Sequence, residues 1–171
     1  MVWTIGHSTR TTEELLDALL AHGVEAVADV RRHPGSRRLP QFDTDALARA
    51  LPSAGLAYAW LPSLGGRRRP LPDSPNVGWR HASFRGYADH TATEEFAEGL
   101  HELLMLAGGL RTAVMCAEVL WWRCHRRLIA DVLVALGVRV VHVRDRAHAE
   151  EHRLRPPAVV RRGRLSWGPS S

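Results

Sequence analysis

Residues 112–137, TAVMCAEVLWWRCHRRLIADVLVALG, decide the fold. The stretch opens on an apolar run, 112–116, of the length and composition of a strand covered on both faces. It closes on a helical pattern expected from about Arg123 to Leu136. Leu128, Val132 and Ala135 form one row of the apolar stripe, and Ile129, Leu133 and Leu136 form the other. Gly137 supplies the stop. A buried strand leading through a polar junction into an amphipathic helix is the repeating unit of a parallel α/β sheet.

Outward from this unit the alternation continues. The runs 2–5, 26–30, 56–61 and 138–143 read as further buried strands. Thr11 and Glu14 have capping-box spacing ahead of Leu15, Leu16, Leu19 and Leu20, with Gly23 at the end. Residues 45–51 give a short helix closed by Pro52 and Gly55. Thr91 and Glu94 read as a second capping box, opening a helix with Phe96, Leu100, Leu103 and Leu104 that ends at Gly108 and Gly109. The expected architecture is α/β: a three-layer α/β/α domain over residues 1–145, with a mostly parallel five-stranded sheet and right-handed crossovers. Residues 62–90 form a connection rich in Gly, Pro and Arg, long enough in a compact domain to suggest a functional loop. Residues 146–171 read as a basic C-terminal extension. Its apolar segments 158–160 and 165–167 flank an Arg-Arg-Gly-Arg turn, which leaves a short hairpin or a frayed tail as the two readings.

With 171 residues and 45% hydrophobic content the chain has enough material for one globular core. No apolar run is long enough to span a bilayer, and the first residues lack the basic-then-apolar order of a secretory signal, so a cytoplasmic protein without a membrane partner is expected. Two cysteines are too few for a disulfide scaffold. The net charge is +5, and all 23 basic residues are arginine. The charge favours a phosphate-bearing small molecule or nucleic acid as partner. A total absence of lysine reflects codon usage as much as anion binding, so the placement of arginines carries more than their number.

Polar clusters follow the strands: residues 6–10, 31–38, 65–69 and 116–118. Parallel strands end on one edge of a sheet, so these clusters are expected to converge where ligands bind in such folds. Cys124 falls at the expected helix start beside Arg123 and His125, a setting that lowers a thiol pKa or holds a phosphate. Glu118 with His7 or His125 is the candidate acid–base set, and Cys124 the candidate nucleophile. Ser8, Arg31, Arg37, Arg38, Arg85, Tyr87, Cys116 and Arg126 are candidates for substrate binding. Asp29, on the same strand face as Arg31, reads as the ion-pair partner that orients it. Cys116, Cys124 and His125 lack a standard zinc spacing; no metal set and no cofactor is assigned. The loop of cysteine phosphatases needs an arginine at the position that Trp122 or Ala130 occupies here, which excludes that chemistry. The competing readings are a small buried hydrophobe for Cys116, a solvated face for Arg67, Arg68 and Arg69, and plain packing for Trp79 and Tyr87.

The motifs Thr4-Ile5-Gly6-His7-Ser8, Asp29-Val30-Arg31, Phe84-Arg85-Gly86-Tyr87-Ala88, Cys116-Ala117-Glu118 and Cys124-His125-Arg126, in this order over residues 3–145, resemble the bacterial and archaeal family called domain of unknown function 488. The resemblance implies a compact α/β fold with a pocket at those motifs, and no established activity. The apolar stretch 119–122 departs from the polar loop expected there; its two tryptophans are expected to cap the pocket or mark a contact surface. The functional expectation is an enzyme acting on an anionic, phosphate-bearing substrate, nucleotide or nucleic acid. The alternatives are a non-catalytic nucleotide or nucleic-acid binder, and a thiol or metal-binding protein.

Overall fold

The structure, a computed structural model, describes residues 1–168. Its centre is a six-stranded sheet. Five strands are parallel: β1 (Val2–Gly6), β2 (Ala26–Asp29), β3 (Ala57–Trp60), β4 (Thr112–Cys116) and β5 (Val140–Val143). The sixth, β6 (Ala149–Glu151), pairs antiparallel with β5, and the order is β3-β2-β4-β1-β5-β6. The helices are α1 (Thr12–Ala21), α2 (Thr44–Ser53), α3 (Ala82–His90), α4 (Glu94–Gly109) and α5 (Arg126–Ala135). A two-stranded hairpin, β7 (Val159–Arg161) and β8 (Arg164–Ser166), follows; residues 169–171 of the C-terminal extension lie outside the described residues.

Strand alternation sends successive side chains to opposite faces, which gives the sheet two cores. Trp3, Ile5, Val27, Ala113 and Met115 pack with Leu15 and Leu19 of α1 and Leu47 and Leu51 of α2. Val2, Ala28, Val114 and Val140 pack with Tyr87 of α3, Phe96 and Leu103 of α4, and Leu128, Ile129 and Leu133 of α5. This is the three-layer α/β/α arrangement expected. Among the described residues no helix is long and apolar enough to cross a membrane.

Four local features differ from the sequence reading. The sheet has six strands rather than five, because Ala149-Glu150-Glu151 offers no apolar pattern and is exposed; backbone pairing to β5 alone makes it a strand. The strand at 57–60 is an edge strand with exposed Ala57 and Trp60, not a buried one. The segment 62–90 contains α3, hidden in the sequence by its polar composition and Gly86. It is held together from α3: Asp89 accepts from the Leu71 amide, Ser74 Oγ and Asn76 Nδ2 at 2.8, 2.6 and 2.8 Å, and Tyr87 OH donates to Leu64 O at 2.6 Å. Because α3 reaches His90, Thr91 is its C-cap; the α4 cap is Thr93, whose hydroxyl accepts from the Phe96 amide. The box at Thr11 and Glu14 is formed as read.

Buried polar groups tie the C-terminal segment to the domain. Asp131 on α5 accepts from His152 Nε2 at 2.8 Å and from Trp167 Nε1 at 3.0 Å. His152 Nδ1 meets His142 Nε2 at 2.9 Å, and Thr4 Oγ1 meets His142 Nδ1 at 2.7 Å. Arg126 NH1 donates to Thr4 Oγ1 at 3.4 Å. Trp167 itself is buried in the core on the α5 side.

Candidate active site

The chain crosses from β1 to β2 and from β2 to β3 by way of α1 and α2 on one face of the sheet, and returns through α3, α4 and α5 on the other. The loops after β2 and β4, neighbouring strands, therefore leave toward opposite faces, and a crevice opens between their carboxyl ends. A pocket of about 540 Å³ lies there, within the size range of small-molecule sites. Arg31, Arg32 and His33 line it from the β2 side, Cys116, Ala117 and Glu118 from β4. Trp122, Arg123, Cys124 and His125 come from the junction into α5, and Tyr87 and Phe84 from α3.

The junction is shaped by Trp121. Its indole is buried, stacks on His142 with centroids 4.1 Å apart, and donates from Nε1 to Glu150 at 2.5 Å. This anchor forms a 3-10 turn over Trp121–Arg123 and leaves Cys124 extended, so α5 begins at Arg126 rather than near Arg123. Gly6 lets the 118–119 backbone cross directly over the end of β1; any side chain there would collide with the Glu118 carbonyl.

Cys116 Sγ, Cys124 Sγ and a ring nitrogen of His125 all lie within 4.8 Å of one another. Cys124 Sγ is 3.6 Å from His125 Nδ1 and 3.5 Å from Arg126 Nε, which donates to it. His125 is fixed from behind: Nε2 donates to Val30 O at 3.2 Å, Tyr87 packs against the ring at 4.9 Å, and a Cβ on Gly66 would sit 2.7 Å from Nδ1. The hydrogen bond from Cys116, with His125 and Arg126 also close, holds the Cys124 thiol well below its ordinary value despite burial. Cys116 is pushed well above its own by the same bond and by burial. The two sulfurs are thus driven apart, Cys124 toward the thiolate and Cys116 toward the thiol. Among the described residues this is the one cluster with three potential metal donors; the guanidinium of Arg126 against the sulfur and Arg31 and Arg123 at the pocket wall favour an anion there over a cation.

Arg31 has the partner the sequence suggested. Asp29 accepts from its Nε at 2.9 Å and its NH2 at 2.6 Å, while Tyr58 OH donates to the same carboxylate at 2.8 Å. Arg31 NH1 donates to His7 Nε2 at 3.2 Å, so His7 is neutral, with Nδ1–H donating to Ser8 O at 2.9 Å. Burial above all lowers the His7 pKa to about 4. Against these partners Arg31 keeps one NH1 hydrogen for the pocket.

The candidate residues thus divide. Cys116, Glu118, Cys124, His125, Arg31 and Tyr87 share the pocket. His7 lies behind Arg31, stacked on Phe42 at 4.1 Å, and not in the lining. Arg126 is fully buried, its donors directed to Cys124, Thr4 and the carbonyls of Glu118 and Val119. Arg37 and Arg38 are exposed outside the pocket, Arg85 is half-buried outside it, and Ser8 lines a separate groove with Arg10, Glu14 and Arg146. The cations that do line the pocket beside Arg31 are Arg32, Arg67 and Arg123. Arg67 is exposed, in keeping with a solvated face, and also lines the pocket; its φ of 59° is a backbone feature with no sequence signal at an arginine. His81 and Ser83 also line the pocket, from a segment in which α3 itself was not legible.

A family model described as "Domain of unknown function DUF488" matches residues 11–133. The chain belongs to this family. The DUF488 match covers every pocket-lining residue, while β1 with His7, and all of β5 and β6, lie outside it. Comparisons with curated proteins and with solved structures gave no significant match.

Proposed function

We propose that this DUF488 protein is a thiol-dependent enzyme acting on an anionic, phosphate-bearing substrate of mononucleotide size. The observation that carries the reading is the position of Cys124 Sγ, 3.6 Å from His125 Nδ1 and 3.5 Å from Arg126 Nε, at the wall of a pocket lined by Arg31, Arg32, Arg67 and Arg123. The arginines bind phosphate oxygens; Arg31, clamped by Asp29, is oriented before substrate arrives. The Cys124 thiolate attacks the electrophilic centre, a bond to sulfur forms, and the leaving group departs with a proton from His125 Nδ1. Water then displaces the sulfur, giving its proton back to His125. Glu118 stands at the pocket with one carboxylate oxygen accepting from the Leu120 amide at 3.0 Å and is the candidate acceptor for a second proton. Reduced thiols fit the cytoplasmic setting that belongs to this proposal.

The test is protection of Cys124 from iodoacetamide by inorganic phosphate, a mononucleotide mixture and a single-stranded oligonucleotide, each at low and at physiological salt. Phosphate and mononucleotides are expected to slow alkylation, less so at higher salt. If no anion slows it, or a covalent substrate adduct forms equally in Cys124→Ser, the proposal is wrong. Protection by the oligonucleotide alone, with no turnover of any substrate, would instead favour the non-catalytic nucleic-acid binder.

A further inference from the structure

We infer that Cys116 and Cys124 are a disulfide-forming pair, in which Cys124 is oxidised by a small hydroperoxide and Cys116 resolves the product. The inference rests on the reading of Cys124 as a reactive sulfur and adds a second reaction at the same site.

The geometry is specific to these two residues. Cys116 ends β4 and is paired there with Gly6 of β1, so its backbone is fixed. Cys124 lies in extended backbone between the 3-10 turn and α5. Their sulfurs are within 4.8 Å, and a disulfide of about 2 Å needs at most about 3 Å of further approach. Cys124 is buried, yet its side-chain contacts at 3.6 and 3.5 Å are long, and giving them up for Cys116 strands no backbone group. Both cysteines line the pocket, which gives a small oxidant access. Arg126 and the adjoining helix start favour the charged sulfur that attacks peroxides.

The steps balance. The Cys124 thiolate attacks the terminal peroxide oxygen, the O–O bond breaks, and water or an alcohol leaves with a proton from His125; Cys124 becomes a sulfenic acid. Cys116 then attacks the Cys124 sulfur, the S–O bond breaks, and water leaves carrying the Cys116 proton. Two thiols lose two electrons and one peroxide gains them. The sulfur that primes Cys124 in the reduced protein is then the one that masks it.

The experiment treats the reduced full chain with one equivalent of hydrogen peroxide and reads intact mass and peptide linkage. The expected result is a loss of about 2 Da, a peptide pair joined through Cys116 and Cys124, and full reversal by dithiothreitol. In Cys116→Ser, and equally in Cys116→Ala, the sulfenic acid at Cys124 is expected to persist and be trapped by dimedone; in Cys124→Ser, Cys116 stays a thiol. Over-oxidation of Cys124 with Cys116 still free, or a disulfide joining two chains, would overturn the inference. Rapid alkylation of Cys124 near neutral pH without an internal disulfide would sink this inference alone; slow alkylation would sink the reading beneath it.

Discussion

Arg126 and Asp131, both fully buried on α5, are joined by an unbroken line of hydrogen bonds through Thr4, His142 and His152. Arg126 only donates and Asp131 only accepts; with both imidazoles neutral, Thr4 O–H donates to His142 Nδ1, His142 Nε2–H to His152 Nδ1, and His152 Nε2–H to Asp131. The arginine that holds Cys124 is thereby linked to a carboxylate at the far end of the relay.

Breaking this line is expected to destabilise the whole domain. His152 and Trp167 each use one oxygen of Asp131, and Asp131→Asn keeps only one acceptor and turns an NH2 donor against the other buried N–H, so it should lower stability by about 3 kcal/mol. Trp167→Phe, which loses one donor and part of a buried indole but leaves His152 its acceptor, should lower it by about 2 kcal/mol. Urea unfolding followed by circular dichroism distinguishes them; equal midpoints for both variants and the wild type would contradict the account.

Acid is expected to unfold the protein early. Burial, with His152 and Arg126 nearby, holds the His142 pKa at about 2, and burial holds His7 at about 4. Unfolded histidines titrate near 6.5, so below that pH the unfolded chain binds protons that the folded chain refuses. Stability is then complete above pH 6.5 and falls as the pH drops toward the folded values, by about 2 kcal/mol per histidine between pH 6.5 and 5. Urea midpoints measured from pH 7.5 to 5 check this; a flat profile is the contrary result.

Arg31 depends on its clamp. In Asp29→Asn the bidentate pair is lost inside the protein, with an expected loss of about 3 kcal/mol and weaker protection of Cys124 by phosphate. Tyr58→Phe removes one hydrogen bond to the same carboxylate and should cost about 1 kcal/mol while leaving Arg31 in place. Thermal melts and the phosphate-protection assay read the two effects apart; strong protection retained in Asp29→Asn would deny the clamp its role.

What was legible in the sequence followed from local rules. The β4 to α5 unit, the Thr11 cap and the sheet class rest on periodicity and capping, which act within one element. The meeting of residues 31, 116–118 and 124–125 followed from parallel strand polarity. What stayed hidden depends on contacts between distant segments. β6 is a strand only because β5 lies beside it, and Arg126 reads as a substrate-binding candidate because nothing local reveals that Thr4 and the carbonyls of Glu118 and Val119 surround it. The histidines at 142 and 152 sit in unremarkable stretches, and their pairing across two neighbouring antiparallel strand ends with Asp131 required the fold. Arg67 lines the pocket from a residue of positive φ, a backbone angle that composition does not encode.

The most direct measurement is the pH dependence of Cys124 alkylation by iodoacetamide, read residue by residue by peptide mass spectrometry in the wild type and in His125→Asn. The account predicts that Cys124 reacts with an inflection well below the ordinary thiol value of about 8.5, that Cys116 lags behind it at every pH, and that His125→Asn moves the inflection upward. An inflection at or above that ordinary value, or Cys116 reacting ahead of Cys124, would contradict it.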